Sequence, residues 1–223
     1  MGDIYLLRHG QASFGSDDYD RLSPLGHEQS RQLGEGLARC KLDRPRLIRG
    51  DMRRHRETLE ACDVSSEEVV EIDARWNELD HRALLVAAFP QHPDAAALRA
   101  AVASEENPRA AFQRMFELSV ARWMGGAHDS DYAETWTQFV ERVSAALSSV
   151  VEASSDKRDT VVSTSGGPIG IVMSQLLGLP PERGMALTRG LVNASYTHLL
   201  VRRGQPRLCC FNVHAHLDQT TYR

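Results

Sequence analysis

Arg8-His9-Gly10 closes a short apolar run, Ile4 to Leu7, and joins three groups that suit phosphate chemistry. A guanidinium grips an anion through parallel N–H donors, a neutral imidazole is a nucleophile, and a glycine leaves room for a ligand at the backbone. Taken alone the tripeptide also describes a core histidine with an incidental arginine neighbour. Three further segments add chemistry to it. Asp51-Met52-Arg53-Arg54-His55-Arg56-Glu57-Thr58 supplies more guanidiniums, Arg75-Trp76-Asn77-Glu78-Leu79-Asp80 supplies two carboxyls two residues apart, and Ser163-Thr164-Ser165-Gly166-Gly167 supplies hydroxyls beside paired glycines. Expelling an alkoxide from a phosphate monoester calls for a proton, and a carboxylic acid is a natural donor.

Positioning these groups requires an α/β frame. Ile4 to Leu7 reads as a strand buried on both faces with a polar C-terminal end, the end at which open α/β sheets place chemistry. Ser23-Pro24 opens a helix expected over about 24–41, with Leu25, Leu33, Leu37 and Cys40 on one stripe. Leu47-Ile48 suggests a second strand, and Asp51 begins a helix to about Cys62. Between about 81 and 131 the sequence is Ala-rich, broken at Pro90, Pro93 and Pro108 and stopped by Gly125-Gly126, as an inserted helical cap would be. Trp136, Phe139, Val140, Val143, Leu147, Val150 and Val151 mark a long amphipathic helix packing on the sheet. Thr160 to Thr164 reads as a strand, Ser165 to Pro168 as a turn, and Ile169 to Leu177 as a helix ended by Gly178. Ser195–Val201 and Leu208–Val213 form a closing hairpin around Arg203 to Pro206. The fold expected is a three-layer α/β sandwich: a central, mostly parallel sheet with helices on both faces, one domain over 1–223 with a cap insertion at about 81–131.

The segments also follow a longer pattern. Arg8-His9-Gly10-Gln11, then Leu22-Ser23-Pro24-Leu25-Gly26 with Gln29, the Arg54 to Thr58 segment, the Glu78 segment and the ending from Asn212 to Leu217 together resemble the histidine phosphatase superfamily, the phosphoglycerate-mutase-like proteins. The resemblance implies that His9 is transiently phosphorylated, that Arg8 and Arg54 clamp the phosphoryl oxygens, and that Glu78 is the acid, with Asp80 its rival. Gly10, Gln11, Ser165, Gly166, Asp80 and His214 are the further residues expected at the substrate. Arg53 and Arg56 read as solvated. In most members the strand end reads Ser-His-Gly-Gly; here Ser165 replaces that histidine, and a hydroxyl carries no positive charge. Backbone N–H groups of Gly166 and Gly167 offset part of that loss if they open a helix. The expected activity is cofactor-independent hydrolysis of a phosphomonoester. The alternative is a catalytically weakened phosphate-binding member. A phosphoglycerate mutase is less favoured, because the Trp-Asn pair that follows the motif in those mutases is absent, with Phe14-Gly15 standing nearby instead.

Other classes are disfavoured by composition. With 26 basic and 30 acidic residues the net charge is -4, and no basic run offers the concentrated positive charge that nucleic acids or anionic membranes require. The longest apolar stretch, Ala83 to Phe89, is far below the roughly 20 residues of a membrane span. No basic segment with an apolar core and cleavage site opens the chain, so the cytoplasm is the expected compartment. Cys40, Cys62, Cys209 and Cys210 fit neither a disulfide framework nor a zinc knuckle and read as buried thiols. His214, His216 and Asp218 lack a third separated ligand, so no metal is expected. Ser165 lacks the preceding glycine of a nucleophile elbow, which argues against a serine hydrolase. The partners expected are a small phosphomonoester or a phosphoprotein; nothing marks an oligomeric state.

Overall fold

The computed structural model describes residues 2–13, 20–66, 69–92 and 94–222. Phe14-Gly15 and the break at Pro93 lie outside the described residues. The chain forms two units, Met1–Glu78 with Arg142–Arg223, and Leu79–Glu141.

The first unit is built on a six-stranded sheet of order β3-β2-β4-β1-β5-β6. Its strands are β1 (Ile4–Arg8), β2 (Arg46–Arg49), β3 (Glu71–Ile72), β4 (Thr160–Thr164), β5 (Tyr196–Arg202) and β6 (Gln205–Val213). Pairings β2–β3, β2–β4 and β1–β4 are parallel, whereas β1–β5 and β5–β6 are antiparallel. Helices lie on both faces, as the buried runs of β1 and β4 require: all five residues of each strand are buried. Tyr5, Leu7, Leu47 and Val161 pack with Leu33 and Leu37 of α1 (Pro24–Ala38) and with Leu59 and Cys62 of α2 (Arg53–Cys62).

Register explains why the sheet can concentrate chemistry at one end. Leu7 pairs with Ser163 and Arg8 with Thr164, while Arg49 also pairs with Ser163. The C-terminal ends of β1, β4 and β2 are therefore level, and the residues that follow them, His9, Ser165 and Gly50, leave the sheet side by side.

Several element boundaries differ from the sequence reading. Ser165 to Pro168 is not a turn: α7 spans Gly166–Leu177 with Ser165 as its N-cap. Pro168 falls within the first helical turn, where its missing N–H costs nothing, so the Gly-Gly-Pro signal of a turn is also compatible with a helix start. The hairpin turn is only Arg203-Gly204, both at positive φ (55° and 74°), the two-residue geometry that matches strand twist. This leaves Pro206 inside the edge strand β6, the sheet position that tolerates proline. Helix α2 begins after Met52 rather than at Asp51, and Asp20 serves its first turn by accepting from Arg53 N at 2.8 Å. The two-residue, exposed β3 carries no periodic signal and was not anticipated. Only Cys62 of the four thiols is buried; Cys40 is half-buried, and Cys209 and Cys210 are exposed because they ride on β6 at the sheet edge.

The second unit is helical: α3 (His81–Ala88), α4 (Ala95–Ala103) and α5 (Pro108–Met124), each opened by an Asx side chain that accepts from first-turn N–H groups, at Asp80, Asp94 and Asn107. Helix α6 (Trp136–Ala153) begins in this unit and continues into the first. Trp123 meets Trp136 and Phe139 edge-on at 5.2 and 5.4 Å between centroids. After α7 the chain continues through α8 (Pro181–Leu187) to β5. Among the described residues no helix is long and apolar enough to cross a membrane.

Candidate active site

His9 leaves β1 with its backbone fixed on both sides. Its N–H donates to the Thr164 carbonyl at 3.0 Å, and its carbonyl accepts from Ala194 N at 3.1 Å and from Asn193 Nδ2 at 3.3 Å. The ring is buried, and Nδ1 lies 2.7 Å from the Gly10 carbonyl. A carbonyl only accepts, so Nδ1 carries the hydrogen and the neutral ring leaves its lone pair on Nε2. Gly10 follows because the chain runs against α1 there. A Cβ on Gly10 would sit 2.3 Å from the Gly26 carbonyl oxygen, and one on Gly26 would sit 2.1 Å from that of Gln11. Gly10 N donates to Thr58 Oγ1 of α2 at 3.0 Å. Gln11 is taken up locally: its N–H donates to Gln29 Oε1 and its Oε1 accepts from Ser23.

Both motif arginines are buried. Arg8 donates through Nη1 to the Leu191 carbonyl and through Nη2 to that of Tyr222 at 3.1 Å. Arg54 donates through Nη1 to Asp20 Oδ1 at 2.6 Å. Arg53 and Arg56 pair with Glu57 and Glu60 one turn on, in keeping with their reading as solvated. Burial, then the charges of Arg54 and Arg8 and the neighbouring His55, holds His9 well below the ordinary imidazole value. The imidazole is thus held neutral by burial and by the charges of two guanidiniums.

Glu78 and Asp80 part company. Glu78 Oε2 accepts from Gly167 N at 3.0 Å, at the start of α7. A Cβ built on Gly166 would have Glu78 Oε2 and Arg8 Nε each 3.9 Å away, so the carboxylate, a guanidinium and the helix N-terminus surround one point. Asp80 belongs to the helical unit, where Oδ1 caps α3 by accepting from Arg82 N and Ala83 N. His214 donates through Nδ1 to the Asn212 carbonyl at 2.7 Å, and His216 donates through Nε2 to that of Ala194 at 2.9 Å while stacking on Tyr196. Both histidines thus have structural partners at the chain end. Asp218 accepts from Gln32. Among the described residues no group of three or more His, Cys, Asp or Glu is placed to hold a metal ion.

Three contributors escaped the sequence reading. Asp20 anchors Arg54. The C-terminal tail joins the His9 backbone through Thr221, which donates to Asn193 Oδ1 and accepts from Gln29. His55, one residue after the motif arginine, is fully buried, with Nε2 2.7 Å from Ser165 Oγ and its ring centroid 6.0 Å from that of His9. His55 also titrates well below the ordinary value, through burial and then the charges of Arg54 and Arg49.

Two buried neutral histidines make stability depend on pH. Below the ordinary 6.5 the unfolded chain binds protons that the folded chain refuses, so the unfolding free energy falls as pH drops. The expected slope is about 1.4 kcal/mol per pH unit for each histidine, or ~2.7 for both. Glu57 and Asp73, lowered from 4.5 and 3.8, act in the other, more acidic window. Urea midpoints at pH 7.5 and 5.5 should therefore differ; a difference half as large would mean that one ring is protonated in the fold, and equal midpoints that both are.

Comparison with known proteins bears on the family and the fold. A sequence profile of the histidine phosphatase superfamily (branch 1) matches residues 4–214. No curated protein matches the sequence. Among solved structures, a phosphoserine phosphatase mutant from Entamoeba histolytica, in complex with phosphoserine, shares 16% identity at a TM-score of 0.67, covering 97% of this chain and 100% of that one. The α-ribazole phosphatase of Shigella flexneri shares 16% at 0.66, covering 96% and 97%. A mycobacterial glucosyl-3-phosphoglycerate phosphatase shares 22% at 0.60, covering 96% and 100%. At these identities the likeness is one of fold.

Proposed function

The chain belongs to the histidine phosphatase superfamily, and on that premise we propose that it hydrolyses a phosphomonoester through a phosphohistidine on His9. The observation that carries this reading is the bond from His9 Nδ1 to the Gly10 carbonyl, which leaves Nε2 as the lone-pair nitrogen of a buried ring beside two guanidiniums. In the first step Nε2 attacks phosphorus, the P–O ester bond breaks, and Glu78 delivers a proton to the departing oxygen. In the second, water attacks the phosphoryl group, a proton passes to the Glu78 carboxylate, and the P–N bond breaks to release phosphate. Arg8, Arg54 and the Gly166 N–H that opens α7, the Gly167 N–H being taken by Glu78, neutralise charge on the equatorial oxygens, where phosphoryl transfer gains most of its rate. Asp80, engaged as a helix cap, leaves Glu78 as the acid.

The substrate class is a small phosphomonoester or a phosphoprotein; the similar structures include enzymes named for phosphoserine, α-ribazole 5′-phosphate and glucosyl-3-phosphoglycerate. Rapid quenching with a ³²P-labelled phosphomonoester is expected to trap an acid-labile, base-stable label on the wild-type protein. Tight phosphate binding with neither label nor turnover would instead favour the phosphate-binding alternative.

A further inference from the structure

Ser165 occupies the N-cap of α7, where a serine side chain ordinarily accepts from the N–H groups of the first turn. Here it caps nothing. The Gly167 N–H goes to Glu78 instead, and the Ser165 hydroxyl, fully buried, faces His55 Nε2 at 2.7 Å. The same strand end also fixes the backbone of residue 55, because Ser163 Oγ donates to the His55 carbonyl at 2.9 Å. Room for the ring comes from Gly50 at the end of β2, where a Cβ would stand 2.3 Å from His55 Nδ1 and 2.9 Å from Cε1. The imidazole is thus built into the cluster by three elements.

Its proton can be located. His55 Nδ1 is buried without a hydrogen-bond partner. A neutral ring with its hydrogen on Nδ1 would bury an unsatisfied N–H, whereas a hydrogen on Nε2 leaves only an unused lone pair, the cheaper of the two. Nε2–H therefore donates to Ser165 Oγ, and the Ser165 hydrogen must point elsewhere.

Resting on the phosphatase reading, we propose that His55 is a positioning residue: by donating to Ser165 Oγ it turns the Ser165 hydroxyl into a fixed donor toward the phosphoryl group carried by His9. The strand end that lacks an imidazole of its own then still presents an oriented donor, polarised by an imidazole from α2. His55 neither takes nor gives a proton in this arrangement, so any side chain with a donor at that place should serve.

The test compares His55→Gln, His55→Leu, Ser165→Ala and His55→Leu/Ser165→Ala in full-length protein, reading kcat and KM for p-nitrophenyl phosphate and the Kd of inorganic phosphate, with circular dichroism for folding. Loss of one preorganised donor costs up to about 10²–10³ in rate, so His55→Leu and Ser165→Ala are each expected to lower kcat by ~30-fold or more. His55→Gln, whose amide N–H replaces Nε2–H, should stay within ~5-fold of wild type. The double variant should be no slower than the slower single one, because both remove the same donor. Losses that multiply in the double variant, or a His55→Gln protein as slow as His55→Leu, overturn the proposal; the latter would assign the ring a proton-transfer role. If wild type and His9→Ala turn over equally, the phosphatase reading fails. The phosphate Kd then decides on its own: about tenfold weaker binding in His55→Leu but not in His55→Gln upholds the donor role, and equal binding overturns it.

Discussion

His9→Ala should lower kcat/KM for p-nitrophenyl phosphate by ~10⁴-fold or more, since removing the nucleophile of a covalent mechanism leaves only binding and charge stabilisation. The ring is oriented by one bond, Nδ1–H to the Gly10 carbonyl at 2.7 Å, and by a backbone held at Thr164, Asn193 and Ala194. Those backbone bonds survive truncation to alanine, so the strand end and both arginines should keep their places. Inorganic phosphate is expected to bind the variant at least as well as wild type, and the ³²P label should vanish. A variant that retains a tenth of the wild-type rate would remove His9 from the reaction, and a label persisting in it would move the nucleophile to another residue.

What could be read in advance and what could not follows the distance over which the information is stored. Strands β1 and β4 declared themselves through unbroken apolar or β-branched runs, because both of their faces are covered. Helix α1 did so through its Ser23-Pro24 start and its leucine stripe. The start of α7 was misplaced, since Gly-Gly-Pro favours a turn locally, while the Gly167 N–H finds its partner in Glu78, 89 positions away. The same holds for the site. Arg8, His9 and Gly10 are adjacent and legible as phosphate chemistry, and the assignment of Arg54 came with the family pattern. The supporting partners are not local: Asp20 reaches Arg54 across 34 positions, and His55 reaches Ser165 across 110. Ser165 read as a loss of charge offset only by backbone N–H groups, because the imidazole beside it arrives from α2, along no periodicity that a single chain displays.

Arg54→Ala is the second large effect, with an expected fall in kcat/KM of about 10³-fold, the lower end of what a transition-state arginine contributes to phosphoryl transfer. Arg54→Lys should recover little, because a lysine offers a point charge in place of a buried planar fork that donates to Asp20 and can grip an anion through parallel donors. Asp20→Ala separates position from charge. It keeps the guanidinium but removes both the acceptor at 2.6 Å and the cap on Arg53 N, so a loss of roughly tenfold is expected, consistent with misplacement of one catalytic group. The pH profile supplies a signature that misfolding would not produce. Among the charges near His9, Arg54 is the leading one that keeps the ring deprotonated. Removing it raises the His9 pKa toward the ordinary 6.5. The acid limb of kcat/KM, which reports the free enzyme, should then move to higher pH in Arg54→Ala and stay near its wild-type position in Arg54→Lys. An acid limb that moves down, or does not move when the charge is removed, would place the titrating nucleophile away from Arg54.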